Sequence, residues 1–250
     1  MEEKLLTIAG LASTVLGLVL GYFIYSLVRQ HRTLTIWQQD RIKAEVETLE
    51  AERKRIATNL HDEIGPKLSA IKLHINQIEP SDNLDKTLME KSSTQIDEII
   101  QYFRDVSFEL LPNTLVRYGI AAATDELIYR LPPGQLTIHF KAEEIVMKKE
   151  DEINLFRIIQ EIIHNTIKHA GASVLQIEIS HVPPNMILET KDDGIGFVYN
   201  EKMKNANGIG LLSIQSRVEI LNGRMIVSTQ PGKGTQYKIE FPLPSIEIKP

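Results

Sequence analysis

The apolar and polar positions divide the chain into an apolar start, a polar helical middle and a mixed C-terminal part. The start, Leu5–Val28, contains no charged residue. At about 1.5 Å per residue, a helix of this length crosses a hydrocarbon core about 30 Å thick, so the run predicts a transmembrane helix. A cleaved signal peptide is the alternative. Glu2 and Glu3 precede the run, which is also longer than the apolar region of such peptides, and both features favour the membrane helix.

Basic residues flank this apolar run unequally. Arg29, His31 and Arg32 follow it, whereas only Lys4 precedes it. Because the flank richer in Lys and Arg stays in the cytoplasm, the asymmetry predicts a single-pass protein of the inner (cytoplasmic) membrane. The long C-terminal part is then expected in the cytoplasm.

The polar middle part has a helical pattern. No glycine or proline occurs from Arg29 until Gly65, which predicts one continuous helix, and residues 29–51 are assigned to a coiled-coil signalling helix. Positions spaced alternately by four and three predict a seam for a partner helix. The seam comprises Ile42, Val46, Leu49, Arg53, Ile56 and Leu60, and a similar stripe continues through Ile64, Leu68, Ile71, Ile75 and Ile78.

A second helix is predicted over Leu84–Leu111, after a turn at Glu79–Asn83. The two helices form an antiparallel hairpin over residues 52–113, which has too few apolar residues for a core of its own. Two hairpins are therefore expected to pair into a four-helix bundle, which would make the protein a homodimer.

Beyond Pro112 the pattern mixes helices and strands, which predicts an α/β sandwich over residues 114–243 and a tail at 244–250. The expected fold is therefore multi-domain, with a membrane helix, a helical hairpin and a C-terminal α/β domain. The predicted helices are Ile120–Leu131, Glu152–Ala170 and Ile209–Leu221, and the predicted strands are Leu136–Lys141, Val174–Ser180, Met186–Lys191, Met225–Thr229 and Thr235–Phe241.

Composition narrows the class of function. The 250 residues carry a formal net charge of -5 and no basic stripe, so no nucleic-acid partner is expected. The absence of cysteine excludes a disulfide framework and a thiolate metal site.

The stretch LHDEIGPKLSAI places His61 beside Asp62 in the hairpin. His61 follows the seam residue Leu60, so its ring is expected to face outward, where another domain can reach it. One imidazole nitrogen is nucleophilic when the other donates its proton to a neighbour, and Asp62 is a suitable acceptor. The alternative is that both are ordinary surface residues.

Polar residues and glycines of the α/β part follow a nucleotide-binding pattern. Glu161, Asn165 and Lys168 share one helix face, where an amide oxygen suits magnesium and a lysine suits phosphate. The stretches DDGIGF at 192–197 and NGIGLLS at 207–213 precede PGKGT at 231–235. Glycines let backbone approach a ligand, and free amides at a helix start attract phosphate.

Together these motifs resemble bacterial sensor histidine kinases. The similar subfamily includes the nitrate sensors and the membrane thermosensor kinase, in which the phosphoacceptor histidine is followed by aspartate. The resemblance covers about Glu52 to Leu243. The stretch ERKRIATNLHDEIGPKLSAI resembles the phosphoacceptor helix. EIIHNTIKHA, DDGIGF, GIGLLSIQSRVEILNGRMIV and GKGTQYKIEFPL resemble successive boxes of the ATP-binding fold shared with gyrase and the heat-shock chaperones.

The resemblance implies an ATP-dependent protein-histidine kinase that uses Mg²⁺. His61 would attack the γ-phosphate, Asp62 would hold its tautomer, and the phosphoryl group would pass to an aspartate of a separate response regulator. Asn165 would be the metal ligand, with Glu161 beside it as a catalytic residue. Asp192 would accept the adenine amino group. The implied nucleotide-binding residues are Asn165, Lys168, His169, Asp192, Gly194, Gly196, Gly208, Gly210, Leu211 and Thr235, under a lid at Val198–Asn207.

Two other functions fit the same fold. One is a non-catalytic nucleotide-binding adaptor, and the other is an ATP-driven clamp, which would need a long transducer domain after the ATP site, whereas this sequence ends soon after Phe241.

Gly65 and Pro66 depart from the subfamily, which often has a glutamine five residues after the histidine to position water for dephosphorylating the partner. Neither side chain can orient a water. We expect this pair to form a hinge and the kinase to be a poor phosphatase of its regulator. The alternative is a harmless kink, with the water positioned by Asp62 or by another group.

Overall fold

The computed structural model describes residues 2–80, 82–134, 136–143, 146–199 and 209–243. In the first helix it describes no side chains at 2–9, 11–16, 27–28 and 31–40. The chain divides into two compact units, Met1–Glu45 and Val46–Pro250.

The first unit is helical. It belongs to helix α1, Glu2–Asn59, and its described side chains include exposed apolar residues such as Leu18 and Phe23. Among the described residues, no helix is both long enough and apolar enough to cross a membrane. Many side chains of the predicted span Leu5–Val28 are outside the described part of the chain, so the membrane helix stays a prediction.

Helix α1 passes into a π-helical turn, Leu60–Ile64, and then into helix α2, Gly65–Asn76. The Gly65 N–H donates to the carbonyl of Leu60, five residues earlier. Because Pro66 has no N–H, the carbonyl of Asp62 lacks its α-helical donor. The chain therefore stays helical through Gly65, with one wider turn beside the predicted hinge at Gly65 and Pro66, and the hinge itself stays a prediction.

Helix α3, Asn83–Leu110, forms the second arm of the hairpin and begins one residue before the prediction. Asp82 caps it, since its Oδ1 accepts the N–H of Asp85 at 2.7 Å. An ion pair between Lys72 and Asp97 joins α2 to α3. Several apolar side chains of the hairpin remain exposed in the single chain, namely Ile64, Ile71, Leu73, Ile78, Leu84, Leu88 and Ile99.

The C-terminal part is the predicted α/β domain. Its first helix, α4, starts at Asn113 instead of Ile120, because a helical turn forms after Pro112 and continues across a kink at Gly119, where φ is 83°. The other elements are β1 Thr137–Ala142, α5 Lys149–Asn165, a π-helical turn Thr166–Ala170, β2 Val174–Val182, β3 Asn185–Asp192, α6 Ile209–Ile220, β4 Arg224–Thr229 and β5 Thr235–Pro242.

The five strands form one sheet in the order β1-β2-β3-β5-β4. Only β1 and β2 run parallel, and the other neighbours are antiparallel. Alternate side chains of β2, β3 and β5 are buried, so one face of the sheet carries the core. The core includes Phe156, Ile159 and Ile162 of α5 together with Ile177, Leu188 and Ile239 of the sheet.

Candidate functional site

Asp192 ends strand β3 with its carboxylate inside the domain. The residue is 5% exposed, and its Oδ1 accepts the N–H groups of Gly194 at 2.9 Å and Thr235 at 3.1 Å. Burial raises the pKa of Asp192 above its ordinary value, and the two backbone hydrogen bonds partly oppose this rise. Both bonds reach Oδ1, so Oδ2 can accept a donor from a ligand.

Asn165 ends helix α5, one turn after Glu161. Its Nδ2 donates to Oε1 of Glu161 at 3.0 Å, which leaves the amide oxygen for a hard cation. Gly210, at the start of α6, packs directly against this pair. A Cβ at Gly210 would overlap Oε1 of Glu161 and lie 3.2 Å from Nδ2 of Asn165, so glycine is needed for this close approach.

The loop after β3 packs against the turn between β4 and β5. Gly196 has φ 60°, and a Cβ there would overlap the carbonyl oxygen of Gln230 and come within 2.8 Å of that of Gly234. The N–H of Phe197 donates to Oγ1 of Thr229 at 3.0 Å. Two of the glycine motifs predicted from sequence therefore meet at one place.

These elements line a cavity of about 250 Å³. Lys168 is exposed and Gly194 is buried, and neither lines this cavity. Gly208 and residues 200–207 of the predicted lid lie outside the described residues. Seven of the ten predicted nucleotide-binding residues line the cavity, namely Asn165, His169, Asp192, Gly196, Gly210, Leu211 and Thr235.

The sequence analysis missed the largely apolar part of this lining. Ile162 precedes Asn165 by three residues on the same helix face, so helical periodicity could have identified it. Tyr237 comes from β5, and burial raises the pKa of its hydroxyl. The missed residues are Ile162, Thr166, Ala170, Ile195, Phe197 and Tyr237.

His61 and Asp62 lie together in the π-helical turn, and both are exposed. They line a different cavity of about 600 Å³, which also involves α3 and α4. This cavity shares no residue with the one at Asp192 within the described part of the chain. The structure therefore brings the nucleotide-binding candidates together but does not place His61 among them.

Two protein-family models match the chain. One, described as histidine kinase, matches residues 52–115, which include His61. The other, described as histidine kinase-, DNA gyrase B-, and HSP90-like ATPase, matches residues 150–245, which include Asn165 and Asp192.

Named relatives agree with these models. The chain is 27% identical over 227 residues to the sensor histidine kinase ComP of Bacillus subtilis (strain 168), covering 86% of this chain and 29% of ComP. It is 24% identical over 220 residues to the oxygen sensor histidine kinase NreB of Staphylococcus carnosus (strain TM300), covering 86% of this chain and 62% of NreB. The chain thus spans less than two thirds of either relative.

Among solved structures, the histidine kinase domain of the Erythrobacter litoralis EL346 blue-light activated histidine kinase aligns with a TM-score of 0.47 and 17% identity. The alignment covers 73% of this chain and 96% of that domain. The chain therefore carries a histidine kinase region followed by a histidine kinase-, DNA gyrase B-, and HSP90-like ATPase region, and its named relatives are sensor histidine kinases.

Proposed function

We propose that the chain transfers the γ-phosphoryl group of ATP to His61 and then to an aspartate of a separate response regulator. The main support for this proposal is the cavity lined by Asp192 and Asn165 within the matched ATPase domain. An exposed histidine in the matched histidine kinase region supplies the acceptor.

Asp192 is the proposed adenine-binding residue. Its Oδ1 is engaged by the N–H groups of Gly194 and Thr235, so the exocyclic amino group of adenine would donate to Oδ2. The apolar neighbours Ile162 and Phe197 suit the flat faces of a purine ring. Thr235, whose N–H donates to Oδ1 of Asp192, would complete the adenine contact through water.

The phosphates would lie toward Asn165 and the start of α6. The bond from Asn165 to Glu161 orients the amide so that its oxygen fits Mg²⁺, whose preferred ligands are oxygens. Mg²⁺, when bound, neutralises charge on the phosphates. His169 lines the cavity and the exposed Lys168 adjoins it in sequence, so both can approach phosphate oxygens as the proposed lid closes.

His61 is the proposed nucleophile. Its ring nitrogen would form a bond to the γ-phosphorus while the bond to the β–γ bridging oxygen breaks and ADP leaves. Asp62 would accept a hydrogen bond from the N–H of the other ring nitrogen and so select the tautomer. Because His61 and Asp192 line separate cavities, the ATP-binding domain would have to move along the hairpin before transfer within one chain.

A homodimer is the proposed assembly. The apolar side chains of Ile71 and Leu88 are exposed in the single hairpin, although they belong to the predicted bundle surface. Pairing of two hairpins would cover them in a four-helix bundle.

Membrane anchoring through Leu5–Val28 is a further part of the proposal. The uncharged run in the sequence supports it, together with the exposed apolar side chains of the first unit. Alkaline extraction of membranes tests it: the full chain should stay in the pellet, and a chain lacking residues 5–28 should not.

The function is tested by incubating the full chain with labelled ATP and Mg²⁺. We expect acid-labile, base-stable label that is absent from His61→Gln, while His61→Gln binds ATP as well as the unchanged chain because His61 does not line the nucleotide cavity. Label on His61→Gln at the normal level would contradict the acceptor assignment. Nucleotide binding without any label would support the non-catalytic adaptor instead.

A further inference from the structure

Two buried arginines of the ATP-binding domain share one carboxylate on helix α1. Arg157 of α5 and Arg217 of α6 are 4% and 5% exposed. The side chain of Glu50 is 14% exposed, and its Oε1 lies 3.2 Å from Nε of Arg157 and 2.8 Å from Nη2 of Arg217. Arg53, one turn after Glu50, reaches the same oxygen at 3.3 Å.

The two arginines depend on Glu50 to different degrees. Arg157 also donates to the carbonyls of Glu109 and Leu110, at the end of α3, so it keeps partners without Glu50. Within the described residues, the side chain of Arg217 has one further hydrogen bond, which it donates to Oδ1 of Asn154 at 3.2 Å.

Because the two arginines are buried, they need the carboxylate of Glu50 as a counterion. Burial lowers the pKa of both Arg157 and Arg217, and the charge of Glu50 raises it again. A buried cation left without its counterion is strongly disfavoured, whereas the same cation in water is not. Loss of Glu50 should therefore favour a state in which Arg217 is hydrated.

The cluster lies on the two helices that carry the nucleotide cavity, at the middle of α5 and in the last turn of α6. Arg157 precedes Asn165 by eight residues on α5, and Arg217 follows Gly210 by seven on α6, so each lies about 10–12 Å along its helix from the cavity. The nucleotide cavity is therefore separate from the contact with Glu50. On α1, Glu50 precedes His61 by eleven residues, or about 16 Å.

We propose that Glu50 is an autoinhibitory latch that holds the ATP-binding domain beside α1, ahead of His61, until α1 moves. The proposal rests on the proposed kinase function. In the latched state the nucleotide cavity and the cavity at His61 share no described residue, so bound ATP has no acceptor within its own chain. Arg157 keeps its bonds to the end of α3 after release and acts as a pivot, while Arg217 separates from α1.

The latch couples the position of α1 directly to the position of the ATP-binding domain. Ion-pair distances of 2.8 and 3.2 Å leave little tolerance for a displacement of α1 against α5 and α6. A stimulus that shifts α1 would therefore release the domain without any change in the nucleotide cavity itself.

The position of the domain can be measured without relying on kinase activity. The chain has no cysteine, so Lys54→Cys on α1 and Gln176→Cys on β2, both exposed, can carry two spin labels. Labelled full-length chains are diluted into unlabelled ones so that only distances within a chain are seen. We expect a narrow distance distribution that becomes broad in Glu50→Gln, and one that stays narrow in Glu47→Gln, which removes the same charge from an exposed position one turn earlier.

Activity then tests the inhibitory direction. Glu50→Gln should raise the initial rate of His61 phosphorylation at least about fivefold with unchanged nucleotide affinity. Arg217→Gln should do the same, and the double variant should match the single variants, because all three break one contact. Denaturant unfolding checks that each variant is folded.

The outcomes separate the two proposals. An unchanged distance distribution in folded Glu50→Gln would overturn the latch. A broadened distribution with a lower phosphorylation rate would overturn its inhibitory direction. No phosphorylation in any variant would overturn the proposed kinase function, and the distance measurement would still decide whether Glu50 holds the domain.

Discussion

At the residue scale, Asp192 shows how the fold accepts a local cost at its binding site. A carboxylate at the end of β3 is buried, and its two hydrogen bonds come from backbone N–H groups of Gly194 and Thr235. A nonpolar residue would be easier to bury there. The proposed adenine contact would account for the acid, because the amino group of adenine requires an acceptor with a free oxygen.

Asp192→Asn should lower ATP affinity by about ten- to a hundredfold. The amide has only one oxygen, which must serve either the N–H groups of Gly194 and Thr235 or the adenine amino group. Titration calorimetry with ADP measures the loss, and an unchanged dissociation constant would remove Asp192 from adenine recognition.

A second prediction for Asp192→Asn concerns how the free energy of unfolding depends on pH. Because the pKa of Asp192 is raised above 3.8 in the folded state, the folded protein binds more protons than the unfolded one between 3.8 and the raised value. The free energy of unfolding contributed by Asp192 therefore falls as pH rises through this range. Relative to the unchanged chain, Asp192→Asn should gain stability from acid toward neutral pH, as measured by denaturant unfolding. A constant difference would contradict the raised pKa.

Gly196→Ala should destabilise the ATP-binding domain by about 2 kcal/mol or more. The added Cβ would overlap the carbonyl oxygen of Gln230. Gly232→Ala is the matched control, because Gly232 also has positive φ, 79°, but a Cβ there meets nothing within 4 Å. Thermal unfolding of both variants separates backbone strain from collision, and equal losses would show that collision is unimportant.

At the element scale, most helices and strands were predictable within one or two residues because their apolar periodicity is strong. Strand β3 was predicted at Met186–Lys191 and spans Asn185–Asp192. The start of α4 was missed by seven residues, since the kink at Gly119 interrupts its helical pattern.

Pro66, which follows the π-helical turn, allows a test of the expected poor phosphatase activity. Pro66→Gln introduces both an N–H for the carbonyl of Asp62 and an amide side chain five residues after His61. We expect faster loss of label from a purified phosphorylated regulator when this variant is added than when the unchanged kinase is added. The comparison is made in a His61→Ala background with ADP, which prevents transfer back to the kinase. Rapid loss with Pro66 in place would refute the expectation.

At the scale of the whole molecule, the grouping of Asn165 and Asp192 in one cavity was predictable, and the contact of the domain with α1 was not. The motifs around Asn165 and Asp192 are local, and each has a pattern in sequence. The contacts of Glu50 with Arg157 and Arg217 join residues 107 and 167 positions apart. Nothing in a helical pattern marks Glu50 as different from the exposed Glu47.

The hairpin surface predicts the oligomeric state. Ile71→Glu should convert a dimer into a monomer, because it places a charge in the apolar interface of the proposed bundle. Lys67→Glu, at an exposed position one turn earlier, is the control and should leave the dimer intact. Light scattering of both variants gives the masses, and a dimer of Ile71→Glu would place the interface elsewhere.

The π-helical turn has a further consequence for the seam along α1 and α2. The spacing alternates between four and three up to Leu60, which would place the next position at residue 63, but the stripe resumes at Ile64. A π-helical turn takes up one additional residue, so Leu60–Ile64 absorbs the shift and keeps both stripes in phase. If this turn tightened to α-helical bonding, the two stripes would rotate against each other by about 100°. A twist of α1 can therefore be taken up in the five residues that contain His61, so the proposed phosphoacceptor would itself turn with this segment.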